Sequence, residues 1–301
     1  MAIHHVHMKS IGRGAGRSAF AKGMYNSAGK GKDERTGIDH DFTRKAGVSA
    51  TTLYFSGAES QERIDEFWNR VEQHHRRQDA VVAREVECAL PAELSAEQRA
   101  ILAMSFGKDI SEKYGVAVQV NVHAPRESDG LNHHAHYLLS ACYCAGKGEL
   151  GKKVVELDPI HCQRQKLENA MDALRPVWAE RANHALAMAG HEVRIDHRTL
   201  DAQGIDREAQ IHMGQSAAAL ESKGIRTERG DINREIEAQN RERGQVRERE
   251  APEDPFAKYT AQEMQQPKQP EQPGQDPFEK YHQQQEQEHT SSRDTGLDLE
   301  R

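Results

Sequence analysis

The sequence predicts an α+β domain, an antiparallel sheet with helices on one face, and three observations carry that expectation. Residues 116–123 and 134–140 each follow the two-residue period of a strand. Pro125-Arg126-Glu127-Ser128-Asp129-Gly130 between them has the composition of a connection, so the two segments read as a hairpin. Segments with helical periodicity, 61–76 and 95–114, alternate with strand-like runs at 49–54 and 80–90, an order that fits helices laid on an antiparallel sheet. Near residue 240 the composition turns abruptly polar, which sets a tail apart from the fold.

Taken in order, residues 3–8 alternate Ile3, His5, His7 with His4, Val6, Met8 and predict a first strand. Gly12-Arg13-Gly14-Ala15-Gly16-Arg17-Ser18 follows, without the glycine spacing of a dinucleotide-binding loop. It reads as a flexible basic turn whose amides and arginines can approach phosphates. A short helix capped near Ser18 then runs to about Tyr25. The 61–76 helix carries a stripe of Ile64, Phe67, Trp68 and Val71, and Pro91 ends the 80–90 strand. Ser95 caps the next helix, whose stripe includes Ile101, Leu102, Phe106 and Ile110. In the hairpin, Val116, Val118, Val120 and Val122 share one parity while Gln119, Asn121 and His123 share the other, which predicts a half-buried strand with an open polar face. A helix over 167–190 is built on Leu167, Met171, Leu174, Trp178 and Leu186. The expected organisation is a head over 1–200, a charged helical extension over 201–250 that covers part of the head or its ligand, and a disordered tail over 251–301.

The formal charge of the 301 residues is −7, and the tail supplies −6 of it with eleven acids against five bases. The first 50 residues carry nine Lys or Arg against four acids, so the mildly acidic total does not argue against a nucleic-acid-binding head. Six of the ten prolines lie beyond residue 251. There Asp254-Pro255-Phe256-Ala257-Lys258-Tyr259 recurs 22 residues later as Asp276-Pro277-Phe278-Glu279-Lys280-Tyr281. This is either a duplicated linker or a pair of docking motifs. No segment approaches the roughly 20 apolar residues of a membrane span, and no apolar signal region opens the chain, so a cytoplasmic protein is expected. Cys88, Cys142, Cys144 and Cys162 are too few for a disulfide framework and read as reduced structural residues.

The most informative segment is Asn132-His133-His134-Ala135-His136. Strand parity puts His134 and His136 on one face, and the hairpin partner brings His123 beside them. Three imidazoles with no fourth protein ligand describe a metal site with an open position, against the alternative of structural or surface histidines in a chain that has 17. Imidazole suits Zn, Mn, Fe, Ni or Cu, whereas Mg prefers oxygen. Glu85 and Glu87 share a strand face. They are either a carboxylate that orients a metal-bound imidazole or two solvated acids on an edge. Tyr25 follows small residues that leave its phenol reachable, although a buried anchor is the usual fate of such a tyrosine. Arg13, Arg17 and Lys22 are phosphate-contact candidates, or ordinary exposed bases.

Together these residues resemble the MobA/MobL family of plasmid mobilisation relaxases, within the histidine-hydrophobic-histidine endonuclease class. The resemblance covers roughly residues 1–235. It rests on Met1-Ala2-Ile3-His4-His5-Val6, Arg17-Ser18-Ala19, Tyr25, Arg84-Glu85-Val86-Glu87-Cys88-Ala89-Leu90-Pro91 and the paired histidines with apolar Ala135 between them. Trp178-Ala179-Glu180-Arg181-Ala182-Asn183, Gly190 and Ile195-Asp196-His197-Arg198 extend it. The resemblance implies a relaxase-like palm that nicks a plasmid transfer origin. Tyr25 would be the nucleophile, His123, His134 and His136 the ligands of a divalent ion (Mn2+ or Mg2+), and Glu85 or Glu87 the orienting carboxylate. It further implies a 5′-phosphotyrosyl intermediate, later rejoining, and single-stranded origin DNA as substrate. Accessory relaxosome proteins, a conjugative coupling protein and export to a recipient cell attached to DNA complete what it implies. Asn26 stands where many relatives have arginine. A rolling-circle replication initiator and a metal-stabilised noncatalytic DNA-binding module are the alternatives.

Overall fold

A computed structural model describes residues 4–125 and 132–250, apart from the side chains of residues 215 and 246–250. The expected strand start at Ile3, most of the hairpin connection and the repeated tail motif lie outside the described residues. Two compact units divide at Gln203/Gly204. The first contains, in order, β1 (Val6–Gly12), α1 (Ala19–Ser27), β2 (Lys30–Asp33), β3 (Ile38–Asp41), β4 (Val48–Phe55), β5 (Ala58–Glu59), α2 (Ile64–His74), β6 (Val81–Ala89), α3 (Ala96–Tyr114), β7 (Val116–His123), β8 (His134–Cys144), β9 (Leu150–Lys153), α4 (Pro159–Gln165) and α5 (Ala170–Met188). The second contains α6 (Gln215–Glu221) and α7 (Glu228–Glu250).

The main sheet has the order β1-β6-β8-β7-β4-β5, with β9 on the far end of β8, and every pairing is antiparallel. Strands β7 and β8 pair as the hairpin expected from their parity, and they lie at the centre. One face packs Val86, Cys88, Val118, Val120, Tyr137 and Leu139 against Phe106 and Ile110 of α3 and Leu174 and Trp178 of α5. A full capping box at Ser95 and Gln98 starts α3, which satisfies two backbone donors that would otherwise be orphaned. Gly107 lets α3 close on the sheet, since a Cβ there would fall 2.2 Å from Val120.

The opposite face, expected to remain open, is covered too. Phe20 and Met24 of α1 and Phe67, Trp68 and Val71 of α2 pack on Leu53, Phe55, Ala83, Ala117 and Leu138. As a result β7 is buried at every residue, not only at its valines. Its polar parity is tolerated because each group finds a partner. Trp68 Nε1 donates to Gln119 Oε1 at 2.5 Å, Gln119 Nε2 donates to Gly23 O and Asn121 Oδ1, and Asn121 Nδ2 donates to Thr51 Oγ1. The first strand runs later than its alternation suggests, because cross-strand pairing of Lys9 with Glu85 and Ile11 with Ala83 carries it to Gly12. The β2–β3 hairpin, β9 and α4 carry no periodicity that announces them.

In the second unit, α7 holds an extended segment by side-chain amides. Asn233 exchanges two hydrogen bonds with the backbone of Ile211, and Asn240 does the same with Glu208. All four cysteines are free and buried. Among the described residues no helix is long and apolar enough to cross a membrane.

Candidate metal and nucleophile centre

Register places the site. His123 on β7 faces His134 on β8, and His136 lies between Asn121 of β7 and Glu87 of β6. Because His123, His134 and His136 share a face, their rings converge, with centroids 4.5 Å apart for 123/136, 5.0 Å for 134/136 and 5.3 Å for 123/134. One nitrogen from each ring can be chosen so that all three lie within 4.8 Å of one another, the only such group of potential metal ligands among the described residues.

In each ring another oxygen engages one nitrogen. His136 Nδ1 lies 2.8 Å from Glu85 Oε1, His134 Nδ1 lies 2.9 Å from Asn132 O, and His123 Nε2 lies 2.7 Å from Asn26 O. Such contacts fix a tautomer and leave the other nitrogen as a ligand atom. Burial pushes His123 down to about 3 and also lowers His134. Both are therefore neutral at physiological pH, the form whose lone pair binds a cation. Three convergent imidazoles fit a divalent ion.

Glu85 is buried, and Glu87 is not. Burial alone would raise the Glu85 carboxyl, but the contact with His136 and the ammonium of Lys22, 2.9 Å away, hold it down at about 2. Asn26 Nδ2 also donates to Glu85, at 3.1 Å. Glu87 sits toward the rim and pairs with Lys9 at 3.3 Å. There too burial would raise the carboxyl, and the charges of His136 and Lys9 outweigh it.

Tyr25 is on the last turn of α1. Ser18 caps that helix by accepting from Ala21 N, and Ala28, in the left-handed region at φ 53°, ends it. The side chain is 41% exposed, so Tyr25 is not the buried anchor that a tyrosine in this setting usually becomes. Its ring meets Phe42 edge-on at 5.4 Å, with Lys45 Nζ 4.0 Å from the ring centroid. The close approach of α1 to the sheet requires Gly23, where a Cβ would lie 2.5 Å from Trp68.

The three expected phosphate-facing cations separate. Arg13 is internal: its guanidinium donates to Glu72 Oε2, to the carbonyls of His75 and Arg77, and to Glu72 O, tying the basic turn to the end of α2. Its spacing in a glycine-rich turn suggested exposure, but the buried Glu72 carboxylate, which also accepts from Ala19 N and pairs with Arg35, draws it inward. Arg17 is exposed, and its guanidinium donates to Ser10 O. Lys22 borders the site through Glu85. Sequence reasoning missed Lys45, and it noted Asn26 only as a departure from many relatives, without the role it has here. Asn26 is buried and bridges α1 to both Glu85 and His123. Lys45 contacts Tyr25 O at 3.0 Å and His123 Nε2 at 3.5 Å. Adjacency to Tyr25 was a usable signal for Asn26; nothing local marks Lys45.

The model of the MobA/MobL family matches residues 17–223. Mobilization protein MobL of Acidithiobacillus ferridurans is 47% identical over 245 residues, 74% of this chain and 65% of that protein. Mobilization protein A of Escherichia coli is 32% identical over 249 residues, 80% of this chain and 33% of that protein. The chain thus matches less than two thirds of the length of either relative. A solved structure described as "Molecular Basis of Vancomycin Resistance Transfer in Staphylococcus aureus" shares the fold, with a TM-score of 0.57 at 24% identity, covering 66% of this chain and all of that one.

Proposed function

The chain belongs to the MobA/MobL family, and from that premise we propose that it is a mobilisation relaxase, a metal-dependent enzyme that nicks one strand of a plasmid transfer origin and later rejoins it. The observation that carries the reading is the meeting of α1 with the histidine cluster: the residue after Tyr25 contacts both His123 and the carboxylate beside His136. A reachable phenol and a cation-binding cluster thereby share one rim of the sheet.

In this reading His123, His134 and His136 hold the divalent ion, whose contribution when bound is Lewis-acid polarisation of a nonbridging phosphate oxygen. A nitrogen-only protein donor set favours Mn2+ over Mg2+. Glu85 orients His136, and Asn26 couples that carboxylate to the nucleophile's helix; Glu87 acts from the rim. The Tyr25 oxygen attacks phosphorus in line, forming the Tyr O–P bond as the P–O3′ bond breaks. The phenolic proton leaves to solvent, and the departing 3′ oxygen takes one from solvent. The phosphotyrosyl ester conserves the bond energy, so the same steps in reverse reseal the strand. Arg17 and Lys22 contact the DNA backbone, while Arg13 holds the turn that presents Arg17. Residues up to about 200 form the catalytic domain, with the charged helices as its extension. Accessory relaxosome proteins and a coupling protein are the partners of a cytoplasmic enzyme that travels with its DNA.

The test is incubation of the full chain with Mn2+ and single-stranded oligonucleotides tiling the DNA that flanks its gene. Mass spectrometry should find a 5′-phosphotyrosyl adduct on Tyr25, and Tyr25→Phe should fold and bind DNA but form none. An undiminished adduct in Tyr25→Phe rejects the assignment; binding without nicking by the unaltered chain supports a noncatalytic module instead. The location of the cut, at a transfer or a replication origin, separates a relaxase from a rolling-circle initiator.

A further inference from the structure

We infer that Lys45 is a catalytic cation of the proposed transesterification, supplying positive charge beside Tyr25 as negative charge gathers on the attacking oxygen and the phosphate. This rests on the relaxase reading. Its Nζ donates to the backbone carbonyl of Tyr25 at 3.0 Å, and lies 4.0 Å from the Tyr25 ring centroid and 3.5 Å from His123 Nε2. The ammonium therefore touches both the Tyr25 ring and His123, the two groups that a scissile phosphate must approach in the proposed reaction.

A surface lysine is ordinarily mobile, but this one sits on a short strap tied at both ends. At one end Phe42 N donates to Gly29 O, just past α1, and Thr43 donates to Asp41 Oδ1 through both its amide and its hydroxyl. Lys45 N closes a turn onto Phe42 O at 2.8 Å. At the other end Ala124 N donates to Gly47 O at 2.7 Å, and Val48 is the cross-strand partner of His123. Gly47 has φ +89°, and a Cβ there would lie 3.0 Å from Ala124 O, so glycine is required for the strap to dock on the end of β7. The strap thus spans from the nucleophile's helix to the strand that carries His123, with the ammonium at its middle. Lys22 also approaches the Tyr25 ring, at 5.2 Å, and its ammonium is 2.9 Å from Glu85.

Preplaced charge of this kind acts on the transition state without reorganising at the moment of reaction. The substrate diester and the phosphotyrosyl diester carry the same charge. A group that stabilises only the transition state must therefore speed cleavage and rejoining by one factor and leave their balance alone.

Lys45→Gln and Lys45→Arg in the full chain test this, with Mn2+ and the oligonucleotide that the unaltered protein cuts. Single-turnover cleavage by Lys45→Gln should fall about 100-fold, the scale of losing one preplaced donor at a developing charge. Rejoining should fall equally, while the equilibrium fraction of adduct, the Kd for uncut DNA, the Kd for Mn2+ and the melting temperature stay unchanged. Lys45→Arg should recover most of the rate. Lys45→Gln cutting as fast as the unaltered chain, a loss confined to DNA or Mn2+ affinity, or Lys45→Arg as slow as Lys45→Gln overturns the inference and leaves the relaxase reading standing. If the unaltered chain forms no adduct on any strand, the relaxase reading falls and the inference with it.

Discussion

Two ends of the same sheet face are built from the same strands and differ in kind. Beneath α2 and the start of α1, the residues of β4, β6, β7 and β8 are Leu53, Phe55, Ala83, Ala117 and Leu138, closed by Phe20, Phe67 and Trp68. A few residues along, under the last turn of α1, the same face presents Glu85, Asn121, His123 and His136, all buried and polar. Gln119 is the border, bonded to Trp68 on one side and Asn121 on the other. The apolar end anchors α1, and the polar end receives its reactive turn. Stability and chemistry are therefore separable along one helix, with Met24 in the core and Tyr25 at the rim.

The largest effect expected from breaking this division is at the apolar end. Trp68→Ala should cost about 3–5 kcal/mol of folding stability, measured by chemical denaturation, yet the folded fraction should bind Mn2+ with unaltered affinity. A fall in Mn2+ affinity per folded molecule would join the two ends into one cooperative unit.

At the polar end the balance reverses. Glu85→Gln should lower Mn2+ affinity about 10- to 100-fold, the usual result of losing a carboxylate behind a metal-bound imidazole. Its effect on stability should be smaller than that of Trp68→Ala. Acid should act here in two stages. His123 is lowered from 6.5 to about 3 in the fold, so below pH 6.5 the unfolded chain takes up a proton that the native chain refuses, and stability falls as pH drops toward 3. Glu85 is lowered from 4.5 to about 2, so its contribution is present above pH 4.5 and is lost as pH falls toward 2. Denaturation midpoints across pH 7 to 3 should show the histidine stage in both proteins, with the carboxylate stage missing from Glu85→Gln. An identical acid profile would place the pH dependence elsewhere.

The smallest effect is expected outside both ends. Arg17→Ala should reduce the salt dependence of DNA binding by about one phosphate equivalent, whereas Arg13→Ala should act through stability because its partners are internal. The reverse pattern would restore Arg13 to the DNA path.

The contrast between the ends also explains what could be read from residue order. The histidines at 134 and 136, their partner at 123 and the hairpin were legible because strand parity is a local rule. Helical spacing, also a local rule, made Leu102, Phe106, Ile110 and the Ser95 cap of α3 legible, whereas Ile101, expected in the same stripe, is exposed. Coverage of the second face was not, since Gln119 and Asn121 look like solvent-facing residues until Trp68 and Thr51, distant in sequence, supply their partners. Arg13 and Lys45 illustrate the same limit in opposite directions. A basic residue in a glycine-rich turn is drawn inside by Glu72, and one in an unremarkable loop is held beside Tyr25 by a strap whose anchors are Gly29 and Ala124. Local spacing describes which face a side chain takes, while nonlocal pairing decides whether that face meets water.

The most direct measurement is anomalous diffraction from crystals of the full chain grown with Mn2+. One peak enclosed by the rings of His123, His134 and His136, with Glu85 behind His136, is the expected result. Saturating Mn2+ with no peak there, or a peak held by other side chains, would contradict the assignment of these three residues as the metal centre.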